Sequence, residues 1–99
     1  MLGGVEIGSD VSIAHNTTVM SVTHNYDDLA NPIKYQGLTA LPVKINDNVW
    51  IGAKSTILGG TTVDSGAIIG ANALVKTHVP PNSVVAGVPA RIIKYRNRD

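Results

Sequence analysis

The sequence repeats with a period of six residues, and this period excludes most folds. β-Branched aliphatic side chains recur at every sixth position in two blocks, the first starting at Ile7 and the second at Ile45. A period of six matches neither the 3.6-residue period of an α-helix nor the two-residue alternation of a long strand. We therefore expect a repeat protein whose unit is a short strand followed by a bend. The aliphatic residues are Ile7, Ile13, Val19, Ile45, Ile51, Ile57, Val63, Ile69 and Val75.

A second regular position lies four residues after each aliphatic and holds a small or medium side chain. Three six-residue units would form one triangular coil, and coils would stack in parallel at about 4.8 Å. The large aliphatics would fill the interior of the prism, and the small residues would lie near its corners. Such a solenoid buries its core only by stacking neighbouring coils. The small positions are Val11, Thr17, Thr23, Val49, Ser55, Thr61, Ala67, Ala73 and Val79.

The repeat predicts an all-β solenoid forming one domain over residues 1–99. Pro80 and Pro81 should end the ladder, because proline cannot donate a ladder hydrogen bond. The residues that follow should form a strand-like segment and then a short C-terminal helix or tail. The predicted parts are the end of a coil at 1–6, full coils at 7–24, 45–62 and 63–80, a loop at 25–44, a C-terminal segment at 81–99 and its helix at 92–96.

The loop at 25–44 interrupts the repeat between the first and second coils. It contains two Pro, two Tyr and two Asp, and it has little periodicity. A long insertion into a tight solenoid is typical of a functional loop, although a passive bulge is the alternative.

Composition restricts the classes of function further. Only 15% of the residues are charged and the net charge is +1, which gives no reason to expect nucleic acid. No apolar segment is long enough to span a membrane, and the N-terminus does not resemble a signal peptide. The absence of cysteine excludes disulfides and fits a reducing compartment such as the cytoplasm. Half of the eight basic residues lie in the last nine positions. This cluster predicts either a solvated tail or a phosphate-binding end.

Three segments together resemble the hexapeptide-repeat acyltransferases, in the branch of maltose, galactoside and capsular-polysaccharide O-acetyltransferases. They are Ser21–His24 before the loop, Ile45–Gly52 after it and Val79–Arg91 near the end. The resemblance implies a left-handed parallel β-helix, although crossover connections in general prefer the right hand. It also implies a homotrimer, with acetyl-CoA in the groove between two subunits and the loop extending over a neighbour.

Acyl transfer to a hydroxyl needs a base, and histidine is suited to that role. His24 ends a coil where the loop begins, and it matches the catalytic histidine of the family. We expect it to be the general base rather than a surface corner residue. His15 falls at an outward corner and should be solvated. His78 precedes the two prolines, where it could approach pantetheine or phosphate but is more simply explained as a surface residue.

The resemblance also implies where the acceptor and the thioester bind. Asn25, Tyr26 and Asp27 follow the catalytic histidine and are candidates for acceptor contacts. Trp50 matches a position beside the acceptor, where its indole could stack on a sugar ring; packing against a neighbouring subunit is the alternative. Ala53 matches a position whose backbone N–H meets the thioester carbonyl.

The remaining donor contacts are also carried over from the family. Ala14 and Ala71 match positions whose main-chain groups follow pantetheine. Arg91 and Lys94 match the adenine and phosphate end, and Lys76 is a weaker phosphate candidate. The family's second catalytic helper, an asparagine on an earlier coil, would correspond to a position before Met1.

Four alternatives remain at this stage. A zinc enzyme resembling the γ-class carbonic anhydrases would use three histidines between subunits, but the close histidine pair of that class is missing, so no metal is expected. A non-catalytic or degenerate trimeric β-helix would bind a ligand without turnover. A nucleotidyl-sugar enzyme would need a nucleotide-binding half. N-acylation uses similar base chemistry and stays open beside O-acylation.

Overall fold

The computed structural model of the protein describes residues 3–97, and its secondary structure is almost entirely short β-strands. Met1 and Leu2, from the predicted coil end at 1–6, and Arg98 and Asp99, from the predicted basic tail, lie outside the described residues. One 3-10 helix, Ile33–Tyr35, lies between β4 and β5. The strands are β1 (Val5–Ile7), β2 (Ser12–Ile13), β3 (Thr18–Val19), β4 (Val22–His24), β5 (Leu38–Ala40), β6 (Val43–Ile45), β7 (Trp50–Ile51), β8 (Thr56–Ile57), β9 (Thr62–Val63), β10 (Ile68–Ile69), β11 (Leu74–Val75), β12 (Ser83–Ala86) and β13 (Arg91–Tyr95).

Three sheets form the faces of a parallel β-helix. Face one has the order β1-β6-β9, face two has β13-β12-β10-β7-β2, and face three has β11-β8-β3. All the pairings within these faces are parallel except that of β12 with β13. Trp50 pairs with Ile68 and Thr56 with Leu74, and each partner lies three six-residue units further along the chain. The predicted coil of three units is therefore confirmed.

The insertion leaves this ladder unchanged. Val5 pairs with Val43 and Thr18 pairs with Thr56, so the sequence offset across the insertion is the same on two different faces. The chain therefore leaves the prism, adds the whole insertion and returns to the position at which an uninterrupted coil would have continued.

The third coil is shorter than the predicted 63–80. Val63 bridges to Val79 and Ile68 pairs with Val84, so each partner comes two residues earlier than three full units would place it. The amide of Val79 donates to the carbonyl of Thr62 over 2.9 Å, and Val79 accepts from the amide of Asp64 over 3.0 Å. Two residues are missing from the corner before Val79, which draws that part of the chain onto face one.

The interior of the prism contains both classes of repeat residue. The aliphatics of the second block are at most 1% exposed, as the repeat predicts. The small residues do not only line the corners: Val49, Ser55 and Ala67 are also buried in the interior. Ile7 and Ile13 remain 52% and 43% exposed because their coil has a neighbour on one side only.

The predicted C-terminal helix at 92–96 is wrong, because these residues belong mostly to β13. This strand runs antiparallel to β12, pairing Arg91 with Ala86 and Tyr95 with Ser83, and a bulge interrupts the ladder. β-Branched and aromatic side chains favour a strand. The exposed edge of β12 also offers hydrogen bonds that an isolated helical turn lacks.

The predicted loop is partly ordered as a hairpin. β4 leaves the prism at Val22 and pairs antiparallel with β5, so the first coil ends before residue 24. The coil resumes with β6 at Val43. Within residues 3–97, no helix is long and apolar enough to cross a membrane.

Candidate functional site

Two edges of the prism carry the candidate residues, and they differ in what they present. The loop edge, where face three turns into face one, consists of residues 20–24, 58–61 and 76–77. The alanine edge, where face two turns into face three, consists of residues 14–17, 52–55 and 70–73. The loop edge supplies polar side chains, and the alanine edge supplies main-chain groups.

His24 is the last residue of β4, at the root of the hairpin. It pairs across the ladder with Leu38, and its side chain is exposed. Within the described part of the chain its imidazole forms no hydrogen bond. Both ring nitrogens are therefore available to a substrate or to another subunit.

Two closely packed main-chain contacts fix the base of the hairpin. The amide of Leu41 donates to the carbonyl of Ser21 over 2.7 Å, which closes the loop. Leu41 in turn accepts from the amide of Gly60 on the next coil over 3.2 Å. A β-carbon at Gly59 would lie 2.5 Å from Cβ of Leu41, so a side chain there would displace the loop base. Gly59 therefore makes room for the loop that carries His24, and Gly60 supplies the backbone φ of 81° that follows it.

Asn25 stabilises the hairpin through its side-chain amide. Its Nδ2 donates to the carbonyl of Gln36 over 3.1 Å, and its Oδ1 accepts from Oγ1 of Thr39 over 2.5 Å. Its backbone amide donates to the carbonyl of Gly37 over 3.0 Å. The amide group predicted to contact the acceptor is thus engaged within the hairpin, whereas the neighbouring Tyr26 and Asp27 are exposed.

A polar network further along the loop was not found from the sequence. Gln36 donates from Nε2 to the carbonyls of Asp28 and Asn31, both over 2.7 Å. The amide group of Asn31 and the backbone amide of Ala30 hydrogen-bond to the carboxylate of Asp28 and lower its pKa below the ordinary 3.8. The Asp–Asn–Pro spacing at 28–32 is a turn signal that could have indicated this network. The loop is therefore a defined surface rather than a loose strand connection.

The alanine edge presents two main-chain amides. Ala53 and Ala71 lie one coil apart, and the carbonyl of Ala53 accepts from the amide of Asn72 over 2.9 Å. Among residues 3–97, no acceptor is hydrogen-bonded to the N–H of either alanine. Ala14 differs, because its N–H donates to Ile51 and its carbonyl accepts from Thr17. Free N–H groups on a fixed edge can donate to a ligand carbonyl at no reorganisation cost.

Trp50 lies on the outer surface of face two, away from both edges, and is 55% exposed. Its ladder neighbours on this face are Ser12 and Ile68. Paired residues project to the same side of a sheet. Lys94, which pairs with Val84, therefore continues the same outward row. A cavity of about 220 Å³ beside the indole is lined by Asp10, Asn48 and Arg96, among others.

Three basic side chains meet in a cleft at the C-terminal end of the prism. Lys76, His78 and Arg91 line this cleft of about 310 Å³, together with apolar residues such as Val85 and Ala90. Lys76 also lines a second cavity of about 230 Å³, which runs along the loop edge past Thr23, next to His24. Lys76 thus lies between the cavity at the hairpin root and the basic cleft, and it lines both.

His78 is paired with Asp64, a contact that the sequence did not predict. Nε2 of His78 lies 2.5 Å from Oδ2 of Asp64, and Nδ2 of Asn46 donates to the other carboxylate oxygen over 2.8 Å. The hydrogen bond to His78 is the main cause that lowers the pKa of Asp64 below 3.8, with smaller contributions from Asn46 and Lys44. The carboxylate of Asp64 is thus ionised at neutral pH.

The predicted residues therefore do not form one pocket within a single chain. His24 and Lys76 belong to the loop edge, Ala53 and Ala71 to the alanine edge, and Trp50 to face two. Across residues 3–97 there is no group of three His, Cys, Asp or Glu side chains that could hold a metal ion.

Comparison with known proteins agrees with this architecture. Residues 42–77 match the family model described as bacterial transferase hexapeptide (six repeats). With this match and the coils seen here, the fold is a left-handed parallel β-helix of hexapeptide repeats.

Several proteins that are similar to this chain are named as acetyltransferases. A probable acetyltransferase of Mycobacterium tuberculosis is 38% identical over 93% of this chain and 31% of its own length. A maltose O-acetyltransferase from Clostridium difficile 630 superposes with a TM-score of 0.86 at 36% identity, over 95% of this chain and 49% of that one. A galactoside acetyltransferase in complex with coenzyme A superposes with a TM-score of 0.85 at 37% identity. This match covers 94% of this chain and 46% of that one. The chain thus spans 31–49% of the length of these relatives.

Proposed function

We propose that the protein transfers an acetyl group from acetyl-CoA to a hydroxyl of a sugar or a similar small acceptor. The observation that carries this proposal is an exposed histidine, His24, at the root of an ordered loop on a β-helix. It is supported by relatives named as O-acetyltransferases at 34–37% identity, including the galactoside enzyme of Escherichia coli.

His24 acts as the general base. Its neutral imidazole takes the proton of the acceptor hydroxyl while the oxygen attacks the thioester carbonyl. The carbonyl carbon becomes tetrahedral, and its oxygen takes the negative charge. Collapse of this intermediate breaks the carbon–sulfur bond, and the thiolate of CoA leaves with the proton held by the imidazolium. Acceptor ester and CoA are the products, so atoms and charge balance.

The backbone N–H of Ala53 stabilises the oxyanion. A main-chain donor on a rigid corner is preorganised, and removal of such a donor typically costs about 10²–10³-fold in rate. The free N–H of Ala71, one coil away, hydrogen-bonds to an amide of the pantetheine arm. Ala14 lies on the same edge, and its carbonyl, which already accepts from Thr17, keeps a second lone pair for pantetheine.

The complete site is formed between two subunits of a homotrimer. The loop edge and the alanine edge are separate corners of the prism, so one chain alone does not bring His24 to Ala53. Packing three prisms around a threefold axis would put the loop edge of one subunit against the alanine edge of the next. The exposed loop side chains Tyr35 and Leu29 would then contact the neighbouring subunit.

The acceptor lies between the loop and an indole face. Tyr26 and Asp27 are exposed beside His24 and supply polar contacts, while Asn25 holds the hairpin that presents them. Trp50 of the neighbouring subunit stacks on the acceptor ring, because its indole is half exposed and a sugar offers an apolar face.

The phosphates of the donor lie at the C-terminal end. Lys76 and Arg91 face the basic cleft, and Lys94 adds positive charge on the outer surface of face two. Basic side chains around an apolar-walled cleft suit a ligand with phosphates and an adenine ring. CoA chemistry and the absence of cysteine in the sequence support a cytoplasmic location.

The direct test is release of free thiol from acetyl-CoA with a panel of sugars, aminosugars and amino acids. Acceptor-dependent thiol release by a trimer supports the proposal, and the acceptor that reacts decides between O- and N-acylation. Sedimentation of the same sample as a clean monomer would contradict the intersubunit site.

A second candidate is a non-catalytic trimeric β-helix that binds a ligand. It is favoured by one observation: among the described residues, the predicted catalytic and binding residues do not form one pocket. It predicts that CoA binds but that no acceptor of the panel releases thiol.

A further inference from the structure

The pair of Asp64 and His78 is produced by the shortened third coil. This coil is two residues shorter than the coils before it, so Val79 pairs with Val63 and His78 lies beside Thr62 in the ladder. Asp64, the residue after Val63, is then close to His78. With a full-length corner, His78 would remain on the loop edge. The shortening brings its ring over face one, within reach of the Asp64 carboxylate and still at the wall of the basic cleft.

The carboxylate fixes which nitrogen of His78 can meet a ligand. An ionised carboxylate only accepts hydrogen bonds, so Nε2 of His78 must carry the proton of the 2.5 Å contact. The other nitrogen, Nδ1, is the only ring atom left for a ligand. In the neutral ring Nδ1 bears a lone pair and repels an anion, whereas in the imidazolium it carries a proton and donates.

From this arrangement we infer that His78, oriented by Asp64, contacts a phosphate group of CoA and does so only when its ring is protonated. The inference rests on the proposed donor site. It adds a residue and a proton switch that neither the repeat nor the family resemblance assigns.

The charges around His78 are consistent with this role. Lys76 and Arg91 face the same cleft and attract the phosphate whatever the protonation of the ring. The negative charge of Asp64 opposes the phosphate, but Lys44 on β6 and the imidazolium itself offset it. Of the side-chain types in this cleft, only histidine generally changes its charge near neutral pH, so the test compares the wild type with a variant of His78.

The first test is CoA binding by the wild type and by His78→Gln, measured by calorimetry at pH 6 and pH 8. We expect the variant to bind about three- to tenfold more weakly at pH 6 and equally at pH 8, because one charge-assisted hydrogen bond is lost only at low pH. At each pH the dissociation constant of the variant is divided by that of the wild type, and this ratio cancels the titration of the CoA phosphates. His15→Gln is the control, since His15 lies outside the cleft, and its ratio should be one at both pH values.

The second test removes the orienting group. In an Asp64→Ala background neutral His78 can carry its proton on either nitrogen, so it can donate from Nδ1 at pH 8 as well. The effect of His78→Gln should then differ less between the two pH values than it does in the wild type. An unchanged difference would refute the orienting role of Asp64.

Nuclear magnetic resonance supplies a readout that a purely structural role would not affect. The chain has three histidines, so three single variants assign every imidazole signal. At pH 7, CoA should move the signals of His78 towards those of imidazolium. CoA binding without this movement, or with an equal His78→Gln effect at both pH values, overturns the inference and leaves the donor site intact. No CoA binding at all would defeat the proposed function itself.

Discussion

The loop edge and the alanine edge come from the same repeat, yet they carry different kinds of chemistry. On the alanine edge the ladder continues without interruption, and within residues 3–97 the N–H groups of Ala53 and Ala71 have no hydrogen-bond acceptor. On the loop edge the ladder is interrupted, and the chain gains a hairpin that ends β4 in His24. The regular edge can offer fixed main-chain donors, and the interrupted edge can offer a reactive side chain.

The two edges differ because a repeated corner and an insertion are constrained in different ways. A corner of the prism is constrained by hydrogen bonds above and below, so its backbone is rigid and its side chains are small. An insertion is freed from these constraints but needs its own bonds, which Asn25 and the Gln36 network supply. Variants that alter one edge at a time should therefore separate the two contributions.

The largest effect is expected for His24→Ala. Loss of the general base should lower kcat by about 10²–10⁴-fold, while the affinity for CoA stays within about twofold. Thiol release and calorimetry on the same preparation measure both quantities. His15→Ala, an exposed histidine of the alanine edge, serves as the matched variant and should keep the wild-type rate. Unaltered turnover of His24→Ala would exclude the mechanism.

A smaller effect is expected for Ala53→Pro, which removes one N–H from the alanine edge. The next residue, Lys54, has a φ of 61°, and proline is tolerated at the position before such a residue in a turn. We expect kcat to fall about 10²-fold with little loss of stability.

Ala53→Ser tests whether the side chain matters at this position. It keeps the N–H and should remain within about twofold of the wild-type rate. If the serine and proline variants were equally impaired, the contribution of the alanine edge would have to come from side-chain packing rather than from its main chain.

Gly59→Ala should displace the loop without touching His24. The new methyl group would meet Cβ of Leu41, and overpacking of this kind costs about 1–3 kcal/mol. Turnover should fall by about tenfold as the hairpin shifts. In Gly60→Ala the methyl group meets no atom within 4 Å, and the cost arises from its φ of 81°. That control should lose stability in urea but keep more of the activity, and equal activity losses would contradict the steric explanation.

The smallest effect is expected for Asp64→Asn. The pKa of Asp64 is lowered on folding, so its contribution is present above the unfolded value of about 3.9 and is lost as the pH falls through the folded value. The pair is partly exposed, so the variant should be destabilised by only about 0.5 kcal/mol at pH 7 and by less as the pH falls towards 2. Urea unfolding at both pH values measures this, with Asp10→Asn as the control. A loss that persists at pH 2 would point to a cause other than the charge.

The sequence predicted the interior of the solenoid because the period of the ladder is directly visible in its side chains. Ile51 and Ile69 lie where the repeat puts them, at no detectable exposure. The C-terminal strand could not be predicted in this way, since its conformation depends on the free edge of β12 rather than on its own sequence. The shortened third coil could not be predicted for a related reason. Val79 fits the six-residue frame of the sequence, but its ladder partner in the structure is Val63.

In the candidate site, the position of a single residue could be predicted from the sequence. The hydrogen bonds between distant residues could not. His24 stands at the break in the repeat, and the structure has it at the root of the hairpin. The hydrogen bonds of Asn25 and the contact of Asp64 with His78 join positions 11 and 14 residues apart, outside any repeat. The proposed joining of the two edges would require several subunits, and one sequence carries no direct signal for that arrangement.

The register across the insertion has a consequence for how such a chain can diversify. Because the ladder continues in step after the hairpin, the length and composition of residues 25–37 are not tied to the stacking of the coils. A gene segment encoding this stretch could be exchanged as a cassette, with Leu41 and Gly59 as fixed attachment points. Under the proposed function, selection could then alter the acceptor while leaving the folding unit and the proposed donor contacts as they are.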